Sequence, residues 1–149
     1  MRAVTYTTKQ MGDACEMLVA AELTLAGVPA LKVPELWPGY DIIAQPRDGR
    51  GPQQVSVKSR TYKAGPAYVE YVDTDSFDWL AIVVLARGGQ GGKRRIFVIP
   101  RAVADTKARR NSPTTPSANQ RYYRIDEVAK LFADFEQNFA LSESGAAST

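Results

Sequence analysis

The stretch Tyr40-Asp41-Ile42-Ile43-Ala44-Gln45, followed by Pro46-Arg47-Asp48-Gly49-Arg50-Gly51-Pro52 and then Gln53-Gln54-Val55-Ser56-Val57-Lys58-Ser59-Arg60, decides the fold. The middle segment is dense in turn formers and the flanks are rich in β-branched residues, so two strands joined as an antiparallel hairpin are expected. In the second strand a period of two separates Gln54, Ser56, Lys58 and Arg60 from Val55 and Val57, giving one polar and one apolar face. Aspartate is depleted in strands, so Asp41 ahead of Ile42-Ile43 bears a cost that a function would justify. A turn aspartate after Pro38-Gly39 is the plainer alternative.

Upstream, Thr7-Thr8-Lys9-Gln10 fits a capping box, with Thr7 as cap and Gln10 reaching back to it. The helix it opens should run to about Ala26, with Met11, Ala14, Leu18, Ala21 and Leu25 at helical spacing and Gly27 at the left-handed stop. Val19 and Leu23 lie on another side, so burial around much of the circumference is expected. Val28 to Val33 reads as a short strand ended by Pro34.

Downstream, Tyr68 to Tyr71 hints at a short extended piece, Leu80 to Ala86 reads as a buried strand, and Gly88 to Gly92 reads as a slack connection to a strand over Arg94 to Ile99. Arg101 to Ala108 suggests a helical turn or two. Asn111 to Gln120 is a loop by its composition. Tyr122 to Ile125 would add an edge strand, and Asp126 would cap a helix through Phe139 with Val128, Leu131, Phe132, Phe135 and Phe139 inward. The aromatic pairs Tyr68/Tyr71 and Tyr122/Tyr123 suit packing first and base stacking second.

The length of 149 residues fits one domain, taken as 1–141 with a disordered tail over 142–149. A chain 44% hydrophobic and 23% charged is not globally disordered, and its apolar runs are too short to span a bilayer. The polar segment Met1 to Lys9 lacks a signal-like apolar region, so a cytoplasmic location is the default expectation. With no histidine, triads and histidine metal ligands are excluded, and the single Cys15 leaves no thiolate cluster. Catalysis would have to run on carboxylates, lysine, tyrosine or a metal ion. Neither a phosphate-cradling loop nor a dinucleotide fingerprint is present, which leaves a small-molecule enzyme without support.

Charge is uneven along the chain. From Arg87 to Arg124 ten basic residues face one acid, Asp105, a local charge of +9; with +3 for the whole chain, the remainder carries −6. Such a block suggests a footprint for a polyanion, with Arg94, Arg95, Arg109 and Arg110 as candidate phosphate contacts. A solvated surface that binds nothing is the alternative.

Glu16 shares its helix side with Gly12, Val19, Ala20 and Leu23, so an apolar surround would desolvate it and demand a partner, either a metal ion or Lys58. A surface glutamate is the other reading, as an edge-strand charge is for Lys58. Two acids and a lysine on such elements suit metal-dependent phosphodiester cleavage, since a hard cation takes carboxylate oxygens while an ammonium orients water and offsets phosphate charge.

The order Gly12-x-x-x-Glu16, Leu23-x-x-x-Gly27-Val28-x-x-x-x-Val33-Pro34, Tyr40-Asp41-Ile42-Ile43 and Val55-x-Val57-Lys58-Ser59 resembles the PD-(D/E)xK, or restriction-endonuclease-like, nuclease superfamily over roughly Gln10 to Arg60. The resemblance implies an α/β fold with an αβββαβ core, a mixed central sheet flanked by helices, and Mg²⁺-dependent (or Mn²⁺-dependent) cleavage of DNA or RNA. By position it matches Glu16 to the helix-borne acid, Asp41 to the strand acid and Lys58 to the lysine of the motif, with Asp41 and Glu16 as metal ligands. Ser56 stands where the motif places a second strand acid, and a hydroxyl is a poor substitute for an anionic ligand. Two readings stay open: an active nuclease, and a non-catalytic nucleic-acid-binding or protein-interaction member of the same fold. A homodimer is compatible with both.

Overall fold

The computed structural model describes residues 6–86 and 94–146. The glycine run 88–92 and the last three residues lie outside the described residues. Helix α1, Thr8–Leu25, opens on the expected capping box: Thr7 Oγ1 accepts from the Gln10 N–H at 3.0 Å and Gln10 Oε1 from the Thr7 N–H at 2.9 Å. It ends at Gly27, whose φ of +96° is a conformation that favours glycine, and the Val28 N–H returns to the Leu23 carbonyl at 2.9 Å.

Strands β1 (Ala30–Lys32), β2 (Ile42–Ala44) and β3 (Gln53–Thr61) form an antiparallel meander. The chain then makes β4 (Tyr68–Val72) and returns as β5 (Trp79–Leu85), parallel to β3, with β6 (Arg95–Pro100) antiparallel beyond it. The main sheet therefore has the order β1-β2-β3-β5-β6, mixed in direction. After α2 (Arg101–Lys107), β7 (Arg109–Arg110) and β8 (Gln120–Arg124) join β4 in a second sheet of order β4-β8-β7. This is the α/β class with a mixed central sheet flanked by helices, although β4, rather than a helix, occupies the crossover from β3 to β5.

Alternation along the buried strands makes two cores. Val55, Val57, Ala81, Val83, Ile96 and Val98 face α1, which contributes Cys15, Val19, Ala20 and Leu23. Leu80, Ile82, Phe97 and Ile99 face the second sheet and its Val69, Tyr71 and Tyr123. A partly buried network locks the second layer: Tyr71 donates to Asp105 at 2.6 Å, and the Arg101 guanidinium holds Asp105 while lying 4.1 Å from the Phe77 ring centroid. Burial and Asp105 push the Tyr71 hydroxyl up to about 12, so it stays protonated as a donor.

Four sequence expectations change. Helix α1 buries a single stripe and leaves Leu25 82% exposed, because only the side carrying Val19 and Leu23 meets the sheet. Strand β8 is central to its sheet, since the two-residue β7 pairs outside it.

The helix over 126–139 is broken into a 3-10 turn (Ile125–Glu127), α3 (Val128–Leu131) and a second 3-10 turn (Ala133–Phe135). The reason is positional. Phe132 and Phe135 pack in the second core whereas Phe139 and Leu141 pack in the first, so the chain must cross the sheet edge. It does so extended along β6, with the Gln137 N–H donating to Ile96 at 2.8 Å and buried Asn138 donating to Val98 at 3.1 Å, which covers that edge. Asp126, rather than capping, accepts from the Gly65 N–H at 3.0 Å and pairs with Arg124.

The expected tail is also partly ordered: the Ala146 N–H donates to Asp134 at 2.9 Å. Among the described residues no helix is long and apolar enough to cross a membrane.

Phe132 is fully buried and meets the Tyr123 ring edge-on at 5.0 Å. Phe132→Ala should cost about 3–5 kcal/mol in chemical denaturation. A loss under about 1 kcal/mol would show that the second core is not built around it.

Candidate functional site

Where β2 gives way toward the Tyr40 turn, two residues oppose one. Ile42 is the partner of Val55, yet the Asp41 N–H also reaches the Val55 carbonyl at 2.9 Å. This is a β-bulge, which breaks alternation and re-aims a side chain. Asp41 stays tied to β1 through the Val33 N–H, which donates to its carbonyl at 3.0 Å. Its carboxylate turns inward, and Oδ2 accepts the Val57 N–H at 2.7 Å, supplying the acceptor that β2 no longer provides.

Beyond the bulge a cleft opens between the N-terminal half of α1, β1 and the loop 33–40. Its walls include Asp13, Glu16, Lys32, Trp37, Tyr40 and Asp41. Glu16 enters from α1 with a side chain 22% exposed, and burial, then the charge of Asp41, holds its carboxyl above the usual glutamate value. The Lys32 ammonium, 3.3 Å from Glu16 Oε1 and 3.7 Å from Asp13 Oδ1, works in the other direction. Lys9 pairs with both Asp13 and Glu35 and links the helix to the loop.

The structure thus brings Glu16 and Asp41 to one cleft. It does not bring Lys58 there. Lys58 is in register with Ile82 on parallel β5, so it faces the second core's side of the sheet, away from α1. Among the described residues it makes no ion pair. Ser56, 4% exposed and in register with Leu80, faces the same way. Lys32 is the cleft lysine that meets Glu16, a residue the sequence reading left unused. Its signal was available in strand alternation, because Lys32 pairs with Ile42, whose side chain faces α1.

Of the four candidate arginines, Arg95 grips Glu136 through two bonds of 2.8 and 2.9 Å, and Arg109 pairs with Glu127 at 2.6 Å. Arg110 donates to the Asp105 carbonyl at 3.3 Å, and Arg94 is exposed one residue ahead of β6. Arg101, Arg121 and Arg124 are likewise paired, with Asp105, Asp73 and Asp126. Four cations of the block, Arg95, Arg109, Arg121 and Arg124, are therefore answered by acids that the fold brings from other segments.

The donor set suits a hard, weakly held cation. Glu16 offers a partly buried carboxylate whose charge Lys32 offsets only in part, and Asp41 retains Oδ1 beside the oxygen that serves Val57. Among the described residues no group of three Asp, Glu, Cys or His side chains is arranged for a metal. Two carboxylates match the way Mg²⁺ is commonly held, with water and substrate phosphate completing its shell.

No family model matches the chain, and no curated protein matches it. Among solved structures it is similar to a bacterial homing endonuclease, I-Ssp6803I, with TM-score 0.49 and 20% identity over 78% of this chain and 89% of that one. It is also similar to a Holliday junction resolvase, Hjc, of Archaeoglobus fulgidus, with TM-score 0.45 and 16% identity over 78% of this chain and 90% of that one. Both are likenesses of backbone course, and no residue role is carried from either protein.

Because Glu16 binds its proton more readily folded than unfolded, stability should fall as pH rises from the ordinary glutamate value through its raised one, and the penalty is complete above it. Carboxylate-resolved NMR titration should show the Glu16 midpoint falling in Asp41→Asn and rising in Lys32→Met. A midpoint unmoved by Asp41→Asn would mean that the two acids do not form one electrostatic site.

Proposed function

We propose that this chain cleaves phosphodiester bonds in nucleic acid with Mg²⁺ or Mn²⁺ held between Glu16 and Asp41. The observation that carries the reading is the bulge that turns Asp41 onto the cleft wall beside a desolvated Glu16. A bound divalent cation would polarise a phosphoryl oxygen and lower the pKa of an attacking water. Glu16 and Asp41 would hold it, while the Val57 N–H keeps the Asp41 carboxylate in orientation and the Lys32 ammonium, now beside Glu16, would be available to a phosphate. Lys58, assigned a part by the resemblance, would have to reach the reacting group around the β2–β3 divergence.

A second reading, binding without cleavage, is favoured by the ion pair that already compensates Glu16 and by the lack, among the described residues, of three acidic side chains arranged to hold one metal.

The experiment incubates wild type, Glu16→Gln, Asp41→Asn, Lys32→Met and Lys58→Ala with single- and double-stranded DNA and RNA, in Mg²⁺, Mn²⁺ or chelator. Wild type should cut only with metal, and Glu16→Gln and Asp41→Asn should lose about 100-fold or more, the scale of one group that stabilises developing charge. Asparagine keeps an acceptor for Val57, so the loss would report chemistry rather than folding. Full activity in Lys58→Ala would leave the lysine's work to Lys32. No cleavage by wild type on any substrate would overturn the proposal and favour the non-catalytic reading.

A further inference from the structure

The second sheet has an outer face that the cleft does not use. Alternation sends Val69, Tyr71 and Tyr123 into the core and leaves Tyr68, Glu70, Tyr122 and Arg124 on the other side. Tyr68 lies opposite Arg124, and Tyr122 lies between Glu70 on β4 and Arg109 on β7. The two rings meet edge-on, 5.5 Å apart at 88°, and Tyr68 is 42% exposed. Arg60 reaches across from β3 to donate to the Tyr68 carbonyl at 3.3 Å.

We propose that this face binds single-stranded nucleic acid, with unpaired bases stacking on Tyr68 and Tyr122 and phosphates lying along Arg60, Arg109 and Arg124. Edge-on packing leaves the broad face of at least one ring open, and every base has a π-face to offer it. The cations flank the aromatic pair instead of being scattered, which is the complementarity a strand with splayed bases requires. Arg109 is exchangeable: its pair with Glu127 is well exposed on both sides and so contributes little to the free protein. Duplex DNA keeps its bases stacked internally and would engage only the arginines. A cross-strand tyrosine pair can also serve stability alone, and that role predicts no ligand effect. The inference goes beyond the cleft chemistry and holds whether or not the cleft cuts.

The test is fluorescence anisotropy of the full chain with labelled single-stranded oligonucleotides and the matching duplex, in chelator to prevent cleavage. Wild type should favour the single strand. Tyr68→Ala and Tyr122→Ala should each weaken it about 5- to 100-fold, the range that base stacking on an aromatic ring supplies, while Tyr68→Phe and Tyr122→Phe retain it. Arg109→Gln leaves the tyrosine pair intact and should lower the salt slope by about 0.7. Alanine or arginine variants that fold and bind as wild type does, preference for the duplex, or no single-strand binding by wild type would each overturn the proposal. Loss of binding in Glu16→Gln with full binding in the tyrosine variants would assign the ligand to the cleft instead. Should the alanine variants fail to fold, an unchanged salt slope in Arg109→Gln would still overturn it.

Discussion

The Val57 N–H, on the side of β3 that β2 has just abandoned, is the donor around which the cleft is arranged. Val57 is 8% exposed, and a buried donor left without a partner costs about 1–3 kcal/mol. The Asp41 carboxylate resolves this, and the bulge is the backbone distortion that lets it do so. One interaction therefore closes the ladder, places a charge in strand context and holds that charge within reach of Glu16. Asp41 stands one residue ahead of β2, where its side chain takes over the work of a backbone carbonyl.

The charge that follows is handled locally. Glu16 is desolvated by α1 packing on the sheet, Asp41 adds repulsion, and Lys32 returns part of the balance. A tethered ammonium in that position offsets part of the charge of Glu16 and Asp13. It also sets a competitor beside any incoming cation, so binding should depend on what draws Lys32 away, and a phosphate does so directly. The same economy governs part of the basic block, where Arg95, Arg109, Arg121 and Arg124 meet acids from outside the block.

Where local patterns decide structure, the sequence was readable. The capping box, the turn-rich hairpin connection and the apolar run of β5 each specify their element through nearby residues, whereas Glu16 and Asp41 were linked by the order of motifs that carries the family resemblance. What escaped was set by distant partners. Helix α1 carries apolar residues on more than one side, and only contact with the sheet selects Val19 and Leu23 over Leu25. The bulge adds one residue to a ladder, which no periodicity announces, and it separates Asp41 from the Ser56 and Lys58 face of β3. Lys32 finds Glu16 through the β1–β2 register. The C-terminal segment reads as one amphipathic helix because Phe132, Phe135 and Phe139 share a spacing, yet they serve opposite sides of the sheet.

The most direct measurement is Mn²⁺ paramagnetic broadening in the isotope-labelled full chain, with and without a non-hydrolysable oligonucleotide. The account predicts weak broadening centred on Glu16, Asp41 and Lys32 in the free protein and a much stronger effect at the same residues when the oligonucleotide is present. Broadening absent in both states, or centred on Lys58 with Glu16 and Asp41 untouched, would contradict it.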